Sequence, residues 1–408
     1  MLLVGIDWAE AEHAVCLLDA AGAVRRRLRV SHSAAGLRRL REVVSEAEPE
    51  AAAVCVAVER GEGLLVEALV AAGYTVYALN PKAVERYRGR TRVAGAKSDP
   101  ADAELLARIL YTDRARHRPL RPSGPHLAAI RALARDDERA SRDERRLLNR
   151  LRQDLLAVFP QALAAFPRLA DLSALAFLAR WPAAAAAQGV SEADLERFFR
   201  ECQHGWPQRT AARVRAALAA EALTAVPAVA QAKAGGIRLA AEQLLLLRRQ
   251  REAWRKALRS LLTSGAGQPA GAALLSLPGL DARLAARILG EVGEAGARFP
   301  APSGLQCYAG TAPVTRASGK GRVVAARFAC NRFLRQAVLA WATGSLRLTP
   351  WARAFYDRQR QAGKTHPSAL RALGNRWLEV LHHLLVTGQR YDEAIHERNR
   401  ARAAPAAA

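Results

Sequence analysis

Apolar positions in the first 120 residues fall in short runs. Residues 2 to 7 (Leu-Leu-Val-Gly-Ile-Asp) end on an acid. His13 to Leu18 follow, and past the Ala-Ala-Gly turn at 20 to 22, Val24 to Val30 alternate roughly. The pattern predicts three strands joined by tight turns. Ser33 to Glu46 carries Leu37, Leu40, Val43 and Val44 at helical spacing, and Ala52 to Val58 is an apolar strand that stops at Glu59. A helix from Gly63 to Ala72, a strand from Thr75 to Leu79 and a helix opening at Ser98 or Asp99 complete the segment. The order βββαβαβα predicts an α/β domain with a mixed sheet.

The period changes to helical beyond the Pro-rich stretch at Pro119 to Pro125. A charged helix from about His126 to Phe159 bears the stripe Leu147, Leu148, Leu151, Leu155 and Val158, and Leu239 to Leu262 is a second long amphipathic helix. The two are expected to pack antiparallel as a coiled coil. Ser191 reads as a helix start between them, and Pro182, Pro207 and Pro227 punctuate shorter helices. Further on, Leu277-Pro278-Gly279-Leu280 precedes a helix from Asp281 to Val292, the layout of a helix-hairpin-helix. Backbone amides at such a turn can hold a phosphate, with Gly279 as the contact. Three domains are expected: 1–120 α/β, 121–265 an all-helical arm, and 266–408 mainly helical.

Charge adds a partner to this picture. The chain of 408 residues has a formal net charge of +24. By segment this is +2 for 1–120, +10 for 121–270 and +12 for 271–408. No acid occurs from Ala295 to Tyr356, while Arg316, Lys320, Arg322 and Arg327 cluster inside that window. These four are the candidate phosphate contacts, and nucleic acid is the expected partner. No run of about 18 apolar residues suits a membrane span, and the acids at 7, 10 and 12 do not suit a secretory signal. The expected location is cytoplasmic. Five cysteines without a Cys-x-x-Cys pair indicate neither a disulfide framework nor a zinc knuckle.

Four acids stand at strand ends and at a helix start: Asp7, Glu59, Asp99 and Asp102. If the first and fourth strands are neighbours, Asp7 and Glu59 meet. Hard divalent cations take oxygen ligands, and paired metals suit phosphodiester chemistry. Singly, Asp99, Pro100 and Asp102 also follow the ordinary rules of helix initiation. As an ordered set on βββαβα elements the acids favour a ribonuclease-H-like fold. In the acid-free window, Ser318-Gly319-Lys320-Gly321 places a hydroxyl among cations able to hold a phosphodiester, though alone it also reads as a flexible turn.

Taken together, Gly5-Ile6-Asp7, Val58-Glu59, Asn80-Pro81, Lys97-Ser98-Asp99-Pro100-Ala101-Asp102-Ala103, Phe159-Pro160, Leu277-Pro278-Gly279-Leu280, Tyr308-Ala309-Gly310, Ala312-Pro313 and Ser318-Gly319 cover nearly the whole chain. In these motifs the chain resembles the DEDD transposases of bacterial insertion sequences, relatives of the pilin-gene invertase. The resemblance implies a RuvC-like domain, a coiled-coil arm and a transposase domain with a helix-hairpin-helix. It also implies Mg²⁺ or Mn²⁺ at Asp7, Glu59, Asp99 and Asp102, and Ser318 as a nucleophile that forms a phosphoserine link. The implied partners are donor and target double-stranded DNA, a structured bridge RNA as guide, and further copies of the chain in a dimer or larger oligomer. One departure is that Arg60-Gly61-Glu62-Gly63 follows Glu59 where the family commonly has Thr-Gly-x-Tyr. Two other readings are a RuvC-like endonuclease that uses water and a non-catalytic nucleic-acid-binding derivative.

Overall fold

The computed structural model describes residues 1–91, 98–121, 124–265, 268–294, 298–319 and 321–403. They form two compact units, 1–122 and 123–408.

The first unit runs β1 (Leu2–Asp7), β2 (Glu12–Leu18), β3 (Val24–Ser31), α1 (Ala34–Ala47), β4 (Val54–Val58), α2 (Leu64–Ala71), β5 (Thr75–Ala78), α3 (Pro81–Thr91) and α4 (Asp99–Asp113). The sheet order is β3-β2-β1-β4-β5. β1 is antiparallel to β2 and parallel to β4. Strand alternation separates two cores. Leu2, Val4 and Ile6 join Val54, Val56 and Val58 against Leu40, Val43 and Leu65 on the α1 and α2 side. Leu3, Cys55 and Ala57 join Leu106 and Leu110 on the α4 side. Burial on both faces explains why β1 and β4 are almost continuously apolar.

One helix more is present than the strand pattern predicts. α3 opens with Asn80, whose Oδ1 accepts from the Lys82 amide at 2.9 Å, and with Pro81 at the first helical position. The strand expected from Ala52 starts at Val54, because Ala51–Ala53 form a 3₁₀ turn. α4 lies hard against the sheet. A Cβ on Gly5 would come within 1.9 Å of the Ala103 carbonyl oxygen and 2.5 Å of the Ala107 nitrogen, so only glycine lets the helix backbone approach β1 this closely.

The second unit begins with α5 (Pro125–Val158), followed by α6 (Pro160–Ala165), α7 (Leu172–Arg180), α8 (Ala184–Gln188), α9 (Glu192–Glu201), α10 (Pro207–Ala219) and α11 (Pro227–Thr263). α11 begins well before Leu239 and runs through Gly235 and Gly236, a helix-weakening pair that packing on α5 overrides. The two long helices are antiparallel: Asp154 pairs with Lys233, Glu144 with Arg248, Asp137 with Arg251, and His126 Nε2 contacts the Leu261 carbonyl. They run through two cores. Leu151, Leu155, Phe159, Phe177, Phe199, Ile237 and Leu244 belong to the arm core. Ile130, Ala134, Leu258 and Leu262 belong to a second core with Leu274, Leu289, Trp341 and Trp377. Between the cores, Asp137 and Glu144 are buried against Arg248 and Arg251 as an ionic layer between the two helices.

The chain continues with α12 (Gln268–Leu275), α13 (Ala282–Val292), α14 (Pro302–Ala309), β6 (Val314–Ser318), β7 (Gly321–Ala325), α15 (Arg332–Ser345), α16 (Pro350–Gln361), α17 (His366–Thr387) and α18 (Glu393–Ala403). The antiparallel β6–β7 ribbon was not predicted from the sequence pattern. All five cysteines are free. Among the described residues, no helix is long and apolar enough to cross a membrane.

Candidate active site

In the first unit three acids from distant segments reach one edge of the sheet. Ile6 pairs with Val58 in the parallel β1–β4 register, so Asp7 and Glu59 are level at the C-terminal ends of neighbouring strands. Alternation puts Asp7 on the face of Leu3 and Gly5, the face that α4 covers. Asp102 lies in the first turn of α4, beside the Ala103 carbonyl that rests on Gly5. Its side chain is 5% exposed and meets the Arg88 guanidinium at 2.8 and 3.2 Å. Asp99 begins the helix and is exposed, with Ser98 rather than Asp99 at the N-cap position. Lys97 lies outside the described residues.

An all-carboxylate donor set suits Mg²⁺ or Mn²⁺. Gly5 opens the room for α4 to bring Asp102 to the sheet, and Arg88 already supplies positive charge to that buried carboxylate. Among the described residues, no three His, Cys, Asp or Glu side chains stand close enough together to share a metal ion. The acids are thus of the kind a hard cation takes and follow one another along the sheet edge, but the described side chains are not gathered into a metal site, and Asp102 is paired with Arg88.

Residues that sequence reasoning passed over hold this edge. Arg60, directly after Glu59, stacks over the ring of Trp8, directly after Asp7, at 4.3 Å. The departure from the family pattern at Arg60 thus ties together the segments that follow the two acids. The Ala9 amide donates to His13 Nδ1 at 3.3 Å, which leaves Nε2 as the proton carrier toward His32 Nδ1 at 2.9 Å. His13 is fully buried; burial and then the neighbouring His32 lower its pKa, so it stays neutral. An aromatic residue directly after a strand-end acid was the signal available in the sequence.

In the second unit Ser318 ends β6, exposed and opposite Gly321. Gly319, at φ +53°, begins the two-residue connection that the ribbon needs. Lys320, the other connecting residue, lies outside the described residues. Cross-strand pairs assign the faces: Arg316 and Val323 share a face with Ser318 and Gly321, while Thr315, Ala317, Arg322 and Val324 occupy the opposite one. Of the cations flanking Ser318, Arg316 is thus on its side and Arg322 is not.

The base of the ribbon is clamped. Arg327 donates to the Ala312 and Pro313 carbonyls at 3.3 and 3.4 Å, so this candidate phosphate contact also fastens one leg to the other. Gly310 is left-handed at φ +71°, and a Cβ there would strike Cys330 Sγ at 2.6 Å. Asn331 caps α15 by accepting from the Leu334 amide, and its Nδ2 donates to Glu291 at 2.6 Å and to the Tyr308 hydroxyl at 2.7 Å. Glu291 is 4% exposed and takes Arg135 through two hydrogen bonds, at 2.7 and 3.1 Å. Burial opposes its charge, but the bonds from Arg135 and Asn331 outweigh burial and hold the carboxyl below its ordinary value.

Gly279 sits at φ +83° between α12 and α13. Its turn is seated on α15: Trp341 Nε1 donates to the Pro278 carbonyl at 3.0 Å, and a Cβ on Gly279 would meet the Ser345 nitrogen at 3.2 Å. Asp281 caps α13 by accepting from the Leu284 amide at 2.8 Å. That carboxylate takes an amide a phosphate would use and puts negative charge at the same helix end.

Residues 4–160 match a family model described as a transposase, of the DEDD type named for IS110. Residues 271–357 match a second, described as the transposase IS116/IS110/IS902 family. The chain is 37% identical over 403 residues to the mini-circle putative transposase for IS117 of Streptomyces coelicolor, covering 95% of each protein. It is 30% identical to the IS110 uncharacterized 43.6 kDa protein of the same species, over 74% of this chain and 73% of that one. It is 28% identical to the IS116 uncharacterized 44.8 kDa protein of Streptomyces clavuligerus, over 93% of each.

Proposed function

Because the chain belongs to the IS110 family of insertion-sequence transposases, we propose that it is a DNA strand transferase that cleaves and rejoins DNA through Ser318. The first unit is read as a RuvC-like, ribonuclease-H-like domain, and a structured guide RNA selects the DNA. The observation that supports this most is the parallel register that levels Asp7 with Glu59 while Gly5 admits the α4 turn bearing Asp102.

The Ser318 hydroxyl attacks phosphorus. The Oγ–P bond forms, the bond from phosphorus to one sugar oxygen breaks, the serine proton leaves to water, and the departing sugar oxygen takes up a proton. The phosphoserine ester keeps the free energy of the broken phosphodiester, so a hydroxyl on a second strand can displace Ser318 without an external energy source. Arg316, which shares the face of Ser318, would hold the phosphate. Asp7, Glu59 and Asp102, with Asp99 at the rim, would hold the divalent ion, which supplies charge neutralisation at the reacting phosphate. The Arg88 guanidinium is the partner that Asp102 would give up to the ion.

The test is cleavage of DNA carrying the ends of the element, with its guide RNA. Asp7→Asn and Asp102→Asn should each abolish cleavage while RNA and DNA binding persist, and EDTA should stop the wild type. Full cleavage by both variants, or cleavage in EDTA, overturns the assignment of the acids.

A further inference from the structure

Both faces of the β6–β7 ribbon are exposed, and what they expose is unusual for a surface. Val323 and Val324 are 62% and 60% exposed, and Phe328, three residues past the end of β7, is 78% exposed. Arg316 and Arg322 stand on opposite faces among them. A two-stranded ribbon alone is marginal in water, and apolar side chains held this far out gain nothing from the fold that carries them. This one is nonetheless anchored at its base, by Arg327 across its legs and by the Asn331–Glu291–Arg135 network at its root.

Charge selects the occupant. The ribbon and Phe328 lie inside the acid-free window from Ala295 to Tyr356, so a polyanion is attracted along its length. The phosphate backbone of a paired duplex would satisfy the arginines and leave the valines and the phenyl ring against water. A strand with unpaired bases satisfies both, since bases stack on aromatic faces while arginines track the phosphates.

We propose that the β6–β7 ribbon and Phe328 seat a locally unpaired DNA strand, with Phe328 stacking on a base and Arg316, on the face of Ser318, on the backbone. The inference rests on the serine reading of this ribbon and adds to it the form of DNA that reaches Ser318. Unpairing lets one strand be cut and rejoined apart from its complement.

The experiment uses the full chain with a mixed-sequence 20-nucleotide single strand carrying 2-aminopurine, and the same strand in a duplex. The expected result is that wild type binds the single strand and changes the 2-aminopurine emission. Phe328→Ala should weaken that binding roughly tenfold and lose the emission change, with little effect on the duplex. Phe328→Trp should restore both. Arg316→Ala should reduce the slope of log affinity against log salt by about 0.7, whereas Phe328→Ala leaves the slope unchanged. Wild-type binding and emission in Phe328→Ala overturn the proposal. So does an equal loss on duplex and single strand. A change in oligomer size with nucleic-acid binding intact also overturns it, by assigning the apolar surface to protein. Ser318→Ala should bind as wild type does. Intact stacking without any protein–DNA ester would reject the serine reading alone, and an ester formed by a chain whose Phe328 is inert would reject this inference alone.

Discussion

Gly5→Ala is the smallest change that separates the acids of the first unit. The added Cβ would lie 1.9 Å from the Ala103 carbonyl oxygen and 2.5 Å from the Ala107 nitrogen, both main-chain atoms of α4. Neither can rotate away, so ordinary contact requires the helix to lift by about 1.5 Å. Asp102 is the residue before Ala103 and moves with it, while Asp7 and Glu59 stay with the sheet. Metal ligands tolerate errors of about 0.2 Å, and a misplacement of about 1 Å costs roughly a hundredfold in rate. Overpacking of this kind costs about 1–3 kcal/mol. The expected outcome is at least a hundredfold loss of DNA cleavage together with a drop of several degrees in the melting of the first unit, followed by scanning calorimetry. Gly89→Ala in α3 is the control, since its Cβ meets nothing within 4 Å. It should leave cleavage intact and raise stability slightly, as alanine in a helix does. Wild-type cleavage and melting in Gly5→Ala would refute the close-approach argument.

Arg88→Met removes the counter-charge of the buried Asp102 carboxylate; it should lower stability in EDTA by about 1–3 kcal/mol, and Mg²⁺ should recover much of the loss if the ion takes the place of the guanidinium. Glu291 has a folded pKa below its ordinary value. Its contribution is therefore complete above the unfolded carboxylate pKa and is lost as pH falls through the folded one, so thermal melts at falling pH should decline more steeply in wild type than in Glu291→Gln. If the active assembly joins the acids of one chain to the serine of another, mixing Asp102→Asn with Ser318→Ala chains should restore cleavage; no rescue in demonstrated mixed dimers would contradict that arrangement.

The sheet was legible because its strands are short and closed by turn signals, and β1, β2 and β4 are apolar runs, whereas the Arg-rich edge strand β3 shows only rough alternation. The adjacency of the first and fourth strands, supposed from the sequence, is what the β1–β4 register has, and it sets Asp7 level with Glu59. α3 was missed although Asn80-Pro81 is a helix start, because its charged surface gives only a weak stripe. The length of α11 was hidden by Gly235-Gly236, where local propensity opposes the packing on α5. The β6–β7 ribbon carries no alternation of buried and exposed positions, since almost all of it is exposed, so periodicity had nothing to register. Arg88, Trp8 and Arg60 matter through partners far along the chain or across the sheet edge, and no local pattern encodes such partners.

The central claim is that Ser318 becomes bonded to DNA. Wild type incubated with its guide RNA, Mg²⁺ and end-labelled DNA should give, on denaturing electrophoresis, a slow band that protease removes. Ser318→Ala should bind both nucleic acids and give neither that band nor a recombinant product. Clean cleavage by Ser318→Ala would contradict the account and make the protein a metal-dependent endonuclease that uses water.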